Sequence, residues 1–212
     1  MNGPIPINSG RKSAYVARNR ASLLRATQEV LASLGPDASL ETIADHAQIS
    51  VSTIYKHFEN KDALFSMAYI DALQGWESWV TSMMKDLTDP AERLVFPMRL
   101  MAQVPHTHPM LAAMVTQNPM ALIESVPQAD MGLEQSLVAL AKAGVVSVPT
   151  LELRAKNMLT LLSATLINMC TNPKMTQSEG FAAISIGLEM FGLSRDLIDD
   201  LMQRPLPPLQ PM

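Results

Sequence analysis

A single cysteine, Cys170, stands among 212 residues, and only 5% of the chain is aromatic. One cysteine excludes an internal disulfide framework and any zinc site built from several thiolates. Cys170 lies in an apolar helical pattern without a companion motif, which reads as a buried structural thiol. Hydrophobic residues make up 48% of the chain, yet charges, prolines and polar groups break every apolar run before the roughly 18 residues that a membrane span requires. Met1 to Lys12 is polar and leads into no apolar stretch with a cleavage site, so no signal peptide is expected. A cytoplasmic protein without membrane association is the expectation. Strand signals are missing too, with no alternating β-branched run and no Asn-Gly or Asp-Gly hairpin. No glycine-rich phosphate loop or serine elbow occurs, and no cofactor is expected.

What is present is unevenly distributed. Residues 1–64 carry seven Lys/Arg and six Asp/Glu, whereas residues 65–212 carry nine and fourteen. Arg11, Lys12, Arg18, Arg20 and Arg25 all precede the first acid, Glu29. A chain of net charge -4 with one basic end suits a polyanion contacted locally rather than over the whole surface; the plainer alternative is a solvated basic terminus. Of 16 methionines only Met1 lies before residue 67, and both tryptophans fall in the larger part. Flexible, polarizable methionine adapts to irregular apolar surfaces, so the larger part suits an adaptable cavity or interface, with ordinary core filling as the alternative for any one residue.

Apolar spacing predicts an all-α chain. A first helix over about 13–34 stops at Gly35-Pro36. Ser39 is placed to cap a short helix, 40–47; Ser50 a second, 51–58; Asn60 a long one from Lys61 to about 86. Further helices are expected at about 90–104, 109–115, 129–143, 150–171 and 176–192, with Pro97 kinking or splitting the first of these. The domains expected are a disordered arm (1–12), a DNA-binding unit (13–60), a larger helical unit (61–203) and an extended proline-rich tail (204–212).

Two short helices joined by a tight turn and followed by a longer one describe a helix-turn-helix. Leu40, Ile43, Ala44, Ala47, Ile49, Ile54 and Phe58 can form one small core with Leu23, Ala26 and Leu31. That leaves Ser52, Thr53, Lys56 and His57 facing outward, with Tyr55 at the edge. Hydroxyls, a cation and ring donors suit phosphate oxygens and major-groove edges. The stretch from Ala26 to Leu64 resembles the tetracycline-repressor-like (TetR) family of bacterial transcription regulators. The resemblance rests on Ser39-Leu40, Ile43-Ala44, Ala47, Ile49-Ser50, Thr53-Ile54-Tyr55, His57-Phe58, Asn60-Lys61-Asp62 and Leu64. It covers about residues 15–66. Gln48 departs from it, because the family commonly has glycine in that turn.

The resemblance implies roles. Tyr55 and His57 match positions that meet the DNA backbone, and Lys61 a lysine at the start of the fourth helix, where cation and helix N-terminus face a phosphate. Ser52, Thr53 and Lys56 match recognition-helix positions, and Thr42 a second-helix phosphate contact. The family also implies a homodimer paired through helices 150–171 and 176–192, with Leu151, Met158, Leu162, Leu166, Met169, Phe181, Ile184, Leu188 and Phe191 as candidates for either that interface or the internal core. Gly180 and Gly187 would permit close approach. A pocket for a small hydrophobic or aromatic effector is expected among Trp76, Trp79, Met83, Met98, Met101, Leu111, Met114 and Met158, with Gln117, Asn118 and Asn168 as polar anchors. The function expected is effector-responsive repression at double-stranded operator DNA. Two alternatives stand beside it: an architectural DNA-binding protein without effector, and a metal-dependent enzyme using the pair His106 and His108.

Overall fold

The computed structural model describes residues 8–126, 133–146 and 149–209. Among them all regular structure is helical. Helix α1 (Asn8–Leu34) ends where Gly35 takes a φ of +64° and Pro36 opens a 3-10 turn over Gly35–Asp37. It begins five residues ahead of the expected Ser13; residues 8–12 of the expected disordered arm are therefore helical, and residues 1–7 lie outside the described residues. Helix α2 (Leu40–His46) starts at Ser39, whose hydroxyl accepts the Thr42 N–H at 3.0 Å. Helix α3 (Val51–Ile54) is shorter than the expected 51–58, since the backbone tightens after Ile54 and the His57 N–H bonds the Ile54 carbonyl at 2.9 Å. Helix α4 (Lys61–Met83) is capped by Asn60, which accepts the Ala63 N–H at 2.8 Å.

Prolines organise the larger unit by starting helices. Pro90, Pro109 and Pro119 open α5 (Pro90–Met101), α7 (Pro109–Gln117) and α8 (Pro119–Ser125), and Pro105 is the second residue of the short α6 (Val104–Thr107). At these positions the missing N–H has no intrahelical partner to lose and the fixed φ is already helical. Pro97 neither splits nor ends α5, which continues to Met101. It removes one donor near the end of a helix whose flanking turns are buried against the core. The remaining helices are α9 (Leu133–Lys142), α10 (Leu151–Thr171), α11 (Gln177–Glu189) and α12 (Arg195–Gln203). Helices α6, α8 and α12 were not anticipated; α12 is announced by Ser194, whose hydroxyl accepts the Leu197 N–H.

Buried side chains fall into two clusters. The smaller contains Leu23, Leu24, Leu31, Ile43, Ile54 and Leu64, and so joins α1 to α4 into the expected helix-turn-helix core. The larger is built by α4 to α12 around residues such as Leu94, Leu100, Leu137, Met158, Leu188 and Phe191. Helix α4 contributes to both. Gln28 of α1 is buried and donates from Nε2 to the Ala68 carbonyl at 3.1 Å and to Asp71 at 2.9 Å, which fixes α1 across α4. No helix among the described residues is long and apolar enough to cross a membrane.

Candidate DNA interface and ligand cavity

The two short helices present one polar surface. Thr42, Ser52, Tyr55 and Lys56 are exposed, and Thr53, His57 and Lys61 are half-buried. Tyr55 is 57% exposed. Ile54 and Phe58 on the opposite face are buried in the small core, so the helix-turn-helix packing itself turns Ser52, Tyr55 and Lys56 outward. Ser50 occupies the cap position of α3, but its hydroxyl meets the hydroxyls of Ser52 at 2.8 Å and Thr53 at 2.9 Å instead of a backbone N–H. Lys61 is held at the first turn of α4: its Nζ donates to the Pro36 carbonyl at 3.1 Å and lies 5.0 Å above the Phe65 ring. The cation is thus tethered at the positive end of the α4 dipole.

The turn between α2 and α3 is strained. Gln48 has a φ of +55°, in the left-handed region that glycine occupies without penalty. The Ile49 N–H reaches back to the Ala44 carbonyl at 2.9 Å, which closes the turn. On the flank of α2, His46 Nε2 lies 2.8 Å from Glu29 Oε2, and Arg25 meets the other Glu29 oxygen at 3.1 Å. The hydrogen bond from His46 is the main influence holding the Glu29 carboxyl below the usual range.

The larger unit encloses a cavity of about 510 Å³, within the range that small organic ligands fill. Helix α4 supplies Leu73, Trp76 and Val80 to its wall, α5 Leu94, Met98 and Met101, and α10 Leu162, Ser163 and Leu166. Glu77, Thr81, Arg93, Ser136 and Ser163 bring polar groups to an otherwise apolar lining. Trp76 is buried and its Nε1 has no hydrogen-bond partner. Ser163 donates to the Leu159 carbonyl at 2.8 Å, which leaves its oxygen lone pairs available. Arg93, exposed, shares Nη1 between the Met84 and Leu87 carbonyls.

Of the residues expected to line this space, Trp76, Met98, Met101 and Leu111 do so. The others lie elsewhere. Trp79 packs edge-on against His108 with ring centroids 4.8 Å apart, and Met83 is half-buried against the larger core. Met114 belongs to the small core. Met158 packs beneath Gly187, where an added Cβ would fall 2.6 Å from its sulfur. Gln117 lies against Gly35, Asn118 caps α8 through the Ala121 N–H, and Asn168 is exposed. Sequence spacing could not select among equivalent apolar helix positions: Leu162 and Leu166 carry the same signal as interface or core residues, and Ser163 carries no apolar signal at all. His106 and His108 do not converge on a third ligand: among the described residues no group of three or more His, Cys, Asp or Glu is placed to hold a metal. Burial depresses the His108 pKa and pushes the Cys170 thiol up to about 12.

Residues 23–68 match the family described as "Bacterial regulatory proteins, tetR family". The match spans the helix-turn-helix and the start of α4, and the likeness it shows is to the DNA-binding part of such regulators. Solved structures extend the likeness to the tetR fold as a whole. RolR in complex with resorcinol aligns with a TM-score of 0.72 at 18% identity, covering 93% of this chain and 100% of its own. The fatty acid degradation regulator FadR from Bacillus halodurans gives 0.64 at 18%, covering 84% and 96%. A TetR-family transcriptional regulator from Haemophilus influenzae gives 0.60 at 15%, covering 83% and 97%. No curated sequence matches the chain significantly.

Proposed function

We propose that the protein is a homodimeric, sequence-specific transcriptional repressor that a small apolar or aromatic molecule releases from its operator. The observation that carries this reading is the placement of two residues one turn apart on α7. Leu111 lines the cavity, while Met114 is fully buried in the core of the DNA-binding domain. A ligand that repositions α7 therefore acts directly on the packing that orients α2 and α3. Such an effector shifts the population between two settings of the recognition helices only as far as it binds them unequally. Thr42, Ser52, Thr53, Tyr55, Lys56, His57 and Lys61 would contact DNA, with Tyr55 and Lys61 on the backbone. A dimer would present two recognition helices to half-sites about one helical turn apart or more.

Met158, Leu166, Ile184, Leu188 and Phe191 are buried within the chain and are not available for pairing, and Gly180 and Gly187 accommodate Met169 and Met158 of the same chain. Leu153 and Ile186, 56% and 66% exposed, are the apolar groups on α10 and α11 that pairing would cover. The test is selection of 40-bp duplexes from a randomised pool by the purified protein, followed by titration of the selected complex with resorcinol and related small aromatics. Enrichment of a two-fold symmetric sequence, and its release by one of these compounds, is the expected result. Failure to enrich any sequence would overturn the reading, and enrichment with no compound altering affinity would remove its effector half.

A further inference from the structure

The basic cluster at the start of the chain is not absorbed by the helix-turn-helix. The tetR-family match begins at residue 23, but α1 begins at Asn8. The helical extension from residue 8 to residue 20 is about 18 Å long at 1.5 Å per residue. It carries Arg11, Lys12, Arg18 and Arg20 and no acid.

We infer that this extension of α1 is an additional DNA-contacting element, which grips duplex phosphates flanking the sequence read by α3. The inference rests on the DNA-binding reading given above. Positions 11, 18 and 25 recur at seven residues, two helical turns apart, and so occupy one stripe of α1. Position 29 continues the stripe. There Glu29 pairs with Arg25 and meets His46 of α2, and His46 lies one turn from Thr42 on the exposed face of α2. The stripe thus runs onto the α2 surface expected to meet DNA. It is neutralised at Arg25, whereas Arg18 is exposed. A second link comes from the other side of α1, where the Arg20 guanidinium lies 5.2 Å above the ring of Phe58, the residue that follows the recognition turn. Arg20, in the extension itself, therefore borders the segment that follows α3. In a chain of net charge -4, the rest of the surface opposes a polyanion, so cations concentrated at this edge would contribute locally and without reading sequence.

Each phosphate contact steepens the salt dependence of binding by about 0.9 in log K against log salt concentration. The experiment compares wild type with the triple variant Arg11→Gln/Lys12→Gln/Arg18→Gln on a 40-bp duplex selected by the wild-type protein, and on a shuffled duplex, between 50 and 300 mM NaCl. Arg20 is left in place because it packs on Phe58. For two protomers the slope should become shallower by about 2–5. Affinity should fall at least tenfold at 150 mM, and the ratio of selected to shuffled binding should change less than threefold. The charge-retaining variant Arg11→Lys/Arg18→Lys should keep the wild-type slope, and thermal unfolding should show that both variants fold. An unchanged slope in the triple variant overturns the inference while leaving the helix-turn-helix reading intact. A collapsed sequence preference also overturns it, by making the extension a reader of bases. If wild type selects no duplex at all, the DNA-binding reading falls and the inference with it.

Discussion

Tyr69 of α4 donates its hydroxyl proton to the backbone carbonyl of Met114 in α7 at 2.8 Å, inside the core shared by the DNA-binding domain and the cavity-bearing unit. The bond is fully buried, and the same carbonyl accepts the Asn118 N–H at 3.0 Å. Tyr69→Phe would therefore remove one of two partners without orphaning the carbonyl. The expected loss is about 0.5–1.5 kcal/mol in denaturant unfolding. Burial also pushes the Tyr69 hydroxyl up to about 12 from its ordinary 10. Folding thus favours the protonated form, and its contribution is complete below pH 10 and disappears as pH rises toward 12. Wild type should lose stability over that interval more steeply than Tyr69→Phe. Parallel pH profiles would show that the hydroxyl is not buried as described.

A second pH dependence has the opposite sign. Arg204, just beyond α12, donates to Asp89 at 2.8 Å, Glu92 at 2.7 Å and Asp200 at 2.8 Å. The Arg204 hydrogen bond is the main cause holding the Asp89 carboxyl below its ordinary value of 3.8. A carboxylate with a depressed pKa stabilises the fold above that ordinary value and loses its contribution as pH falls through the depressed one. Arg204→Met should cost about 1–2 kcal/mol near neutral pH and nothing measurable at the acid end of the profile. It would also remove the side-chain ties from the end of α12 to Asp89 and Glu92 at the start of α5. The buried Arg99 would still donate to the Leu201 and Arg204 carbonyls, so the helix should remain formed by circular dichroism.

The strained turn offers a stabilising substitution. Gln48 sits at a φ of +55°, which costs a residue with a Cβ about 1–2 kcal/mol relative to its preferred regions. Glycine removes that cost but loses more chain entropy on folding. The net gain expected for Gln48→Gly is about 0.5–1 kcal/mol, read as a higher midpoint in urea. A decrease would mean that the Gln48 side chain makes a compensating interaction.

The small domain was legible in the sequence because its signals are local: caps at Ser39 and Asn60, the stop at Gly35-Pro36, and apolar positions that can face only one way on a four- or seven-residue helix. The same signals marked the start of several larger helices but not α6, α8 or α12, and Pro97 does not split α5. The cavity was only partly legible. Met98 and Met158 sit on helices of similar pattern, yet one lines the cavity and the other fills the space under Gly187. Deciding between them requires the packing of α10 against α11, which no local spacing encodes.

That packing separates two neighbouring residues of α11 by function. Gly187 is fully enclosed: an added Cβ would lie 2.6 Å from the Met158 sulfur and 2.7 Å from a Leu161 methyl. Met158 is itself without exposure and has no solvent to swing into. Gly187→Ala should therefore destabilise the protomer by about 1–3 kcal/mol through overpacking. Ile186, one residue earlier, is 66% exposed and contributes little to the protomer. Ile186→Arg should leave the thermal midpoint of the isolated protomer nearly unchanged, yet place a charge in the proposed pairing face, where desolvation is costly. Analytical ultracentrifugation should then show monomers for Ile186→Arg at concentrations where wild type is dimeric. Because one recognition helix reads only half a site, affinity for a selected symmetric duplex should fall by at least two orders of magnitude. If Ile186→Arg sediments as a dimer and binds normally, the protein pairs through another surface.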